Sequence, residues 1–371
     1  MHILHFYKTY YPDTIGGVER VINQIACATS RLGVSPAILT LTTTNPANTI
    51  IINDHVVHRA RMHFQIASTG FSLSSLTYFM QLAKQADLIH YHYPWPFMDC
   101  VHFLSRINKP TVVTYHSDII RQRLLLHLYR PLRNRFLHSI NHIVATSPNY
   151  LKTSEVLNKF QTKTTVVPIG IDQSTYPSPD AGILTKWRTR FSGKFFLFVG
   201  VLRYYKGLHI LIEALQYQDF PVVIIGSGPV ENELKAHAER LKLKNIHFLG
   251  MLHEIDKVAL LILCYAFIFP SHLRSEAFGV SLLEGAMYGK PLISSEIGTG
   301  TSYINVHNQT GIIVPPGDAQ ALYHAMQLLW DNPNMAQIMG DLARIRYLEL
   351  FTAKQMGTKY VSIYKQLLSY T

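Results

Sequence analysis

The chain has 371 residues, 48% of them apolar, enough to bury a large core and build two domains, which excludes a disordered protein. Lys and Arg number 34 against 23 Asp and Glu, and a pI near 9.4 implies an anionic partner: nucleic acid, nucleotide or membrane lipid. Only Cys27, Cys100 and Cys264 occur, in no Cys-x-x-Cys spacing, which argues against a disulfide framework or zinc site and suits a reducing cytoplasm.

The chain opens on a strand-like segment, His2 to Tyr7, without the charged region and long apolar stretch of a signal peptide. Short apolar segments then alternate with helical patterns, which predicts parallel sheets covered by helices. The first six strands read Ile3–Tyr7, Ala37–Leu41, Leu88–Tyr91, Thr111–Tyr115, His142–Ala145 and Thr165–Val167. A proline-rich stretch from Pro168 to Pro179 reads as a linker. Six more follow: Phe195–Val199, Val222–Ile225, Ile246–Phe248, Ala266–Phe269, Pro291–Ser294 and Gly311–Val314. Two sets of six predict an α/β protein of two doubly wound, Rossmann-like domains, 1–180 and 181–350. A last helix, 351–371, carries Met356, Tyr360, Ile363 and Leu367 on one stripe and is expected to cross back onto the first domain. The longest uncharged apolar run, Val258 to Phe269, is shorter than the about 20 residues a bilayer takes. Membrane contact is therefore expected to be peripheral.

Three segments carry chemistry. Gly16-Gly17 follows the first strand and opens a helix, a place where an anion can approach the backbone, although a glycine pair also serves a plain tight turn. No Gly-x-Gly-x-x-Gly fingerprint is present, which speaks against an NAD site. Arg203 and Lys206, in the loop after Phe195–Val199, are two cations able to offset charge on a departing diphosphate, or else a solvated basic turn. Glu276 and Glu284 stand eight residues apart at the mouth of a predicted helix, which puts both within roughly 80° of one face. With the amides of Phe278, Gly279 and Val280 at the helix start, that face suits ribose and sugar hydroxyls beside a phosphate; it equally suits two solvated acids.

Six motifs in order, covering nearly the whole chain, resemble the retaining GT-B glycosyltransferases of family four. They are Gly16-Gly17-Val18-Glu19, Val167 to Asp172, Gly200 to Gly207, Pro270-Ser271, Glu276 to Gly279 with Glu284 to Pro291, and Asn308 to Gly311 with Val314 to Asp318. The resemblance implies a GT-B fold whose two domains face a central cleft. It implies that Lys206 and Arg203 contact the donor diphosphate, Glu276 the donor sugar and Glu284 the ribose. Ala277, Phe278, Gly279 and Val280 lie along the donor, Gly16 and Gly17 face the diphosphate, and His116 lies near the transferred sugar. His116, Arg203, Lys206 and Glu276 form the implied catalytic set, and Tyr93, His116 and Asp118 the acceptor side. Two departures stand out: Val201 replaces the usual arginine after the glycine, and Tyr303 the usual glutamate near Gly300. The second resembles the subgroup that makes mannose- or rhamnose-rich O-antigen chains and favours GDP-mannose, with GDP-rhamnose as the other option.

No Asp-x-Asp occurs, so the expected site needs no metal and no cofactor beyond the nucleotide sugar. The expected reaction is hexosyl transfer with retention to a polyprenyl-diphosphate-linked saccharide. Between Ile119 and His142, Arg121, Arg123, Arg130, Arg133 and Arg135 stand among leucines with no acid. Residues 1–185 hold 16 basic against 9 acidic side chains, the rest 18 against 14. A basic amphipathic segment of this kind suits the inner face of an anionic plasma membrane, or a helix whose leucines face the core. Tyr91 to Phe97 reads as an aromatic acceptor-lining loop or as a packed one. The competing readings are a transferase using a UDP-sugar on another acceptor, a sugar-nucleotide epimerase, and a basic nucleic-acid-binding protein. The last lacks any helix-turn-helix, zinc or RRM signature.

Overall fold

A computed structural model describes residues 1–44, 48–53, 55–66, 69–119 and 123–369. The chain divides into two units, Met1–Ile171 with Thr352–Thr371, and Asp172–Phe351. The expected boundary between 180 and 181 thus lies inside the second unit, where Asp180 caps the helix Ala181–Arg190 by accepting from the amide of Ile183 at 2.8 Å.

In the first unit the strands are β1 (His2–Phe6), β2 (Ser35–Thr42), β3 (Thr49–Ile52), β4 (His55–Arg61), β5 (Phe64–Ile66), β6 (Thr69–Phe71), β7 (Leu88–Tyr93), β8 (Thr111–Tyr115), β9 (His142–Ala145) and β10 (Thr164–Val166). Eight of them form one sheet in the order β10-β9-β8-β7-β1-β2-β4-β3, parallel except for β3 against β4, while β5 and β6 form a separate hairpin. The predicted six strands are all there, and the count of six is corrected. β3, β4 and the hairpin are not apolar runs of ordinary length: β4 sets His55, His58, Arg59 and Arg61 around its two valines, and β3, β5 and β6 are only three or four residues long.

The final helix, Ala353–Ser369, belongs to this first unit, as its apolar stripe predicts. It crosses the helix Gly17–Ser30 so closely that a Cβ on Gly357 would sit 2.8 Å from the Cβ of Ala28. Tyr360 and Tyr364 reach from it to the sheet, with their hydroxyls 2.8 Å from Thr114 Oγ1 and 2.7 Å from His90 Nδ1.

In the second unit β11 (Phe196–Val199), β12 (Val222–Ile225), β13 (Ile246–Phe248), β14 (Ala266–Phe269), β15 (Leu292–Ser295) and β16 (Gly311–Val314) pair in the order β13-β12-β11-β14-β15-β16, all parallel. Counted within the unit this is 3-2-1-4-5-6, the dinucleotide-fold order, in which winding reverses between β11 and β14. β1 and β7 are the matching reversal point of the first unit. Loops at the carboxyl ends of such neighbours part in opposite directions and leave a crevice for ligand. Among the described residues, no helix is long and apolar enough to cross a membrane.

Candidate active site

The crevice of the second unit is built from the loops after β11 and β14. After β11 the chain turns through a short 3-10 helix, Tyr204–Lys206, into Gly207, whose φ of +72° is left-handed. A Cβ there would stand 2.0 Å from the carbonyl oxygen of Pro270, so glycine alone lets the two loops meet. Gly207→Ala is expected to cost about 2 kcal/mol or more through left-handed strain and the clash, read as a lower thermal midpoint.

This contact brings Lys206 onto Glu276. Lys206 Nζ donates to Glu276 Oε2 in a short charge-assisted bond, and Ser271 Oγ donates to the same oxygen at 3.5 Å. The lysine is 8% exposed and the glutamate 9%, and the ammonium lies 4.8 Å from the ring centre of Phe269. Burial pushes the Lys206 pKa down, but the Glu276 carboxylate outweighs it and the pKa ends above the ordinary lysine value. Lys206 is a fixed cation at any physiological pH.

Contrary to the expectation from their spacing, Glu276 and Glu284 do not share a helical face. The helix is Val280–Met287, and its N-cap is Gly279 in the left-handed region (φ +96°), so Glu276 precedes the helix in the loop from Pro270. The loop contact with Lys206, rather than helical periodicity, positions it. Glu284 lies within the helix at 1% exposure, and its Oε1 accepts from Lys257 Nζ and from the Tyr176 hydroxyl, each at 2.9 Å. Lys257 also pairs with Glu254 at 2.6 Å. Each of the two predicted acids therefore has its own buried lysine.

Ala277 accepts from the amide of Gly300 at 2.9 Å, and Phe278 packs so tightly on Gly300 that a Cβ there would lie 2.5 Å from Phe278 Cδ2. Arg203 is not drawn into the Lys206–Glu276 pair. With Tyr204 it lines a separate cavity of about 270 Å³ that includes His209, His237 and Arg240.

At the reversal point of the first unit, Gly16 caps the helix Gly17–Ser30 without a side-chain bond. A Cβ on Gly16 would lie 2.4 Å from Glu19 Oε2, while Gly17 has open space beside it. Glu19 is held by the Thr14 hydroxyl at 3.0 Å. His116 follows β8 directly, nearly buried, with its amide bonded to the Tyr93 carbonyl at 3.0 Å. Burial lowers its pKa to about 3 and keeps the ring neutral. Of the other predicted acceptor residues, Tyr93 is fully buried and stacked on Tyr115 at 4.4 Å. Asp118 accepts hydroxyl protons from Tyr115, Ser154 and Tyr150 at 2.8 to 3.0 Å. The Tyr91–Phe97 segment is packed: Tyr91, His92, Tyr93 and Trp95 are core residues.

Two families match the chain, Glycosyltransferase Family 4 over residues 15–175 and Glycosyl transferases group 1 over 185–346. A protein of Pseudomonas aeruginosa named D-rhamnosyltransferase WbpZ is 58% identical over 95% of this chain and 93% of its own length. The chain belongs to the family 4 glycosyltransferases. O-antigen chain mannosyltransferase C of Escherichia coli is 48% identical over 99% of both chains. Among solved structures, sucrose-phosphate synthase from Thermosynechococcus elongatus superposes with a TM-score of 0.82 over 100% of both chains at 20% identity. Anabaena Alr3699/HepE in complex with UDP superposes with a TM-score of 0.76 over 99% of this chain and 100% of its own, at 18% identity. The fold is GT-B, and membership as a glycosyltransferase sets aside the nucleic-acid-binding reading.

Several side chains of this glycosyltransferase lie outside the expected set: Lys257 and Tyr176 on Glu284, Ser271 on Glu276, and the histidines His5, His90 and His92 beside His116. Lys257 and Tyr176 lie 27 and 108 residues from Glu284, a separation that no local pattern reports. The alternating His-Tyr-His of residues 90–92 is the one visible signal, since period two puts both imidazoles on one face of a buried strand.

Proposed function

We propose that the chain transfers a GDP-activated hexose of manno configuration, mannose or its 6-deoxy form D-rhamnose, to a polyprenyl-diphosphate-linked saccharide in O-antigen synthesis. Transfer proceeds with retention and without a metal. The activities named for the two full-length relatives support the sugar class and O-antigen synthesis. The observation that carries the chemistry is the buried Lys206–Glu276 pair at the reversal point of the second sheet.

As the bond from the sugar carbon to the phosphate oxygen lengthens, negative charge grows on the departing diphosphate. Lys206 and the first amides of helix Val280–Met287 are preorganised to receive it. Glu276, neutralised by Lys206, has oxygen acceptors for sugar hydroxyls. Glu284, aimed by Lys257 and Tyr176, serves the ribose. A donor phosphate oxygen takes the acceptor's proton on the face from which it departs, so configuration is kept. Asp118 and Glu19, acids that follow strands of the first unit, are tied to hydroxyl donors, which favours this route over a covalent sugar–enzyme intermediate.

A melting panel of GDP-, UDP- and ADP-sugars tests the donor. Saturation at a hundred times Kd is expected to stabilise the protein by about 2.7 kcal/mol, with GDP-mannose or GDP-rhamnose only. Product configuration by NMR, with and without EDTA, tests the rest. Silence with every donor, an inverted product, or loss of activity in EDTA would sink the reading.

We also propose peripheral membrane binding through the helix Arg123–Ser139. It buries Phe136 and Leu137 while Leu125 and Leu128 stand exposed, Leu128 by 81%, beside exposed Arg130 and Arg135. Arg121 lies outside the described residues, and the side chain of Arg123 is likewise not described. Anionic vesicles are expected to co-sediment the protein and neutral ones not. Leu128→Glu should weaken that binding about tenfold, through the loss of one apolar anchor and the addition of a negative charge facing anionic lipid. Equal binding to both vesicle types would refute the contact.

A further inference from the structure

Three neighbouring strands of the first unit set four imidazoles side by side at its reversal point: His5 of β1, His90 and His92 of β7, and His116 after β8. His5, His90 and His92 are wholly buried, and only His116, at 6%, reaches the surface. His92 stacks on His90 with ring centres 4.4 Å apart, and lies nearly parallel to His5 and His116, whose ring centres are 5.3 and 5.2 Å away. His116 Nε2 lies 3.0 Å from His92 Nδ1, and His92 Nε2 lies 3.0 Å from His5 Nδ1. There the chain ends, because His5 Nε2 is buried with no hydrogen-bond partner among the described residues.

One nitrogen each of His5, His90 and His92 fall within 4.8 Å of one another, a spacing that admits a metal. The rings are otherwise engaged. Both His90 nitrogens lie 2.7 Å from hydroxyls, those of Tyr364 and Thr114, and both His92 nitrogens face other imidazoles. These hydrogen bonds occupy the ring nitrogens that a metal would need, so the cluster is a hydrogen-bonded chain.

Burial, the largest cause for each ring, keeps the chain neutral. A neutral imidazole carries one N–H. Three rings joined by two hydrogen bonds hold three protons: two fill the links, and the third sits at one end, on His116 Nδ1 or on His5 Nε2. At the buried end an N–H would be orphaned, which proteins tolerate less well than an unused acceptor. Both links therefore point outward, from His5 Nδ1–H to His92 Nε2 and from His92 Nδ1–H to His116 Nε2.

We infer that His5 and His92 are positioning residues that lock His116 as its Nδ1–H tautomer, so that it presents a hydrogen-bond donor to a substrate oxygen. The inference rests on the reading of His116 as the residue beside the transferred sugar. A neutral donor there polarises an oxygen without setting a cation against an oxocarbenium-like centre.

Long-range 1H–15N correlation spectra of the whole chain labelled with 15N-histidine read each tautomer directly, with His116→Asn assigning the signal. Nδ1–H at His116 is expected; an Nε2–H or evenly mixed ring overturns the inference. His92→Gln preserves the direction, since its amide donates to His116 and its carbonyl accepts from His5. It should keep kcat within about threefold, while His92→Phe, which can do neither, should lose about tenfold or more, with donor KM little changed. Equal losses in the two variants would reduce His92 to packing and overturn the proposal. The spectra are decisive even if no donor is turned over, in which case the transferase reading fails and the tautomer result stands.

Discussion

Lys206→Ala is expected to lower the rate of transfer by about 10²–10³-fold, the usual loss when one preorganised group facing developing negative charge is removed. Its fixed charge serves the transition state, so kcat should fall with kcat/KM. The structure adds a second consequence. Glu276, left at 9% exposure with its cation gone, becomes a buried unpaired carboxylate, a situation that costs about 3–5 kcal/mol. The variant should therefore also melt lower, by roughly 2–4 °C for each kcal/mol lost. Loss of both groups together separates the effects: Lys206→Met with Glu276→Gln removes the charges at nearly constant volume and should recover most of the melting temperature but none of the turnover. Stopped assays, melting curves and donor titrations on the three proteins are the measurement. Turnover within tenfold of the parent in Lys206→Ala would end the assignment of Lys206 to the diphosphate.

The second large effect is expected at Lys257. Lys257→Met leaves Glu284, at 1% exposure, with the Tyr176 hydroxyl as a donor but without its cation, and a stability loss of about 3 kcal/mol or more follows from the stranded charge. With the carboxylate no longer aimed, donor KM should rise about tenfold while kcat moves less, because ribose contacts bind ground state and transition state alike. Glu284→Gln is the paired control. It should show a similar KM change with a smaller melting shift, because Lys257 keeps Glu254 as a partner. An unchanged KM in both variants would remove Glu284 from the donor site.

Motif order in the chain is enough to expect a GT-B fold and points to Lys206 and Glu276 as donor contacts. Lys206 is visible because a strand, a short loop and a glycine-started helix are local in sequence, and Gly207 marks the turn. Glu276 is positioned otherwise than its spacing implies. Its spacing from Glu284 implies a shared helical face only if the helix is continuous, and Gly279 interrupts it. Tyr93 and Asp118 show the converse. Both lie where ligands bind in such sheets; the Tyr93 ring is stacked on Tyr115, and Asp118 accepts hydrogen bonds from three protein hydroxyls. Whether a polar residue after a strand faces ligand or the fold depends on partners about 30 residues away, such as Tyr150 and Ser154 for Asp118.

By itself the sequence determined the twelve apolar strands of the two sheets, the helix stripes and the order of the glycine turns, because each depends on residues within a few positions of one another: period two, period 3.6, and left-handed turns that glycine favours. Which strands become neighbours was decided by the tertiary structure. That choice created the reversal points at β11/β14 and β1/β7, joined Lys206 to Glu276 and Lys257 to Glu284, and threaded His5, His92 and His116 into one hydrogen-bonded line. These pairings are long-range. Burial gives them their strength, and burial is a property of the packed sheet that no short window of sequence contains.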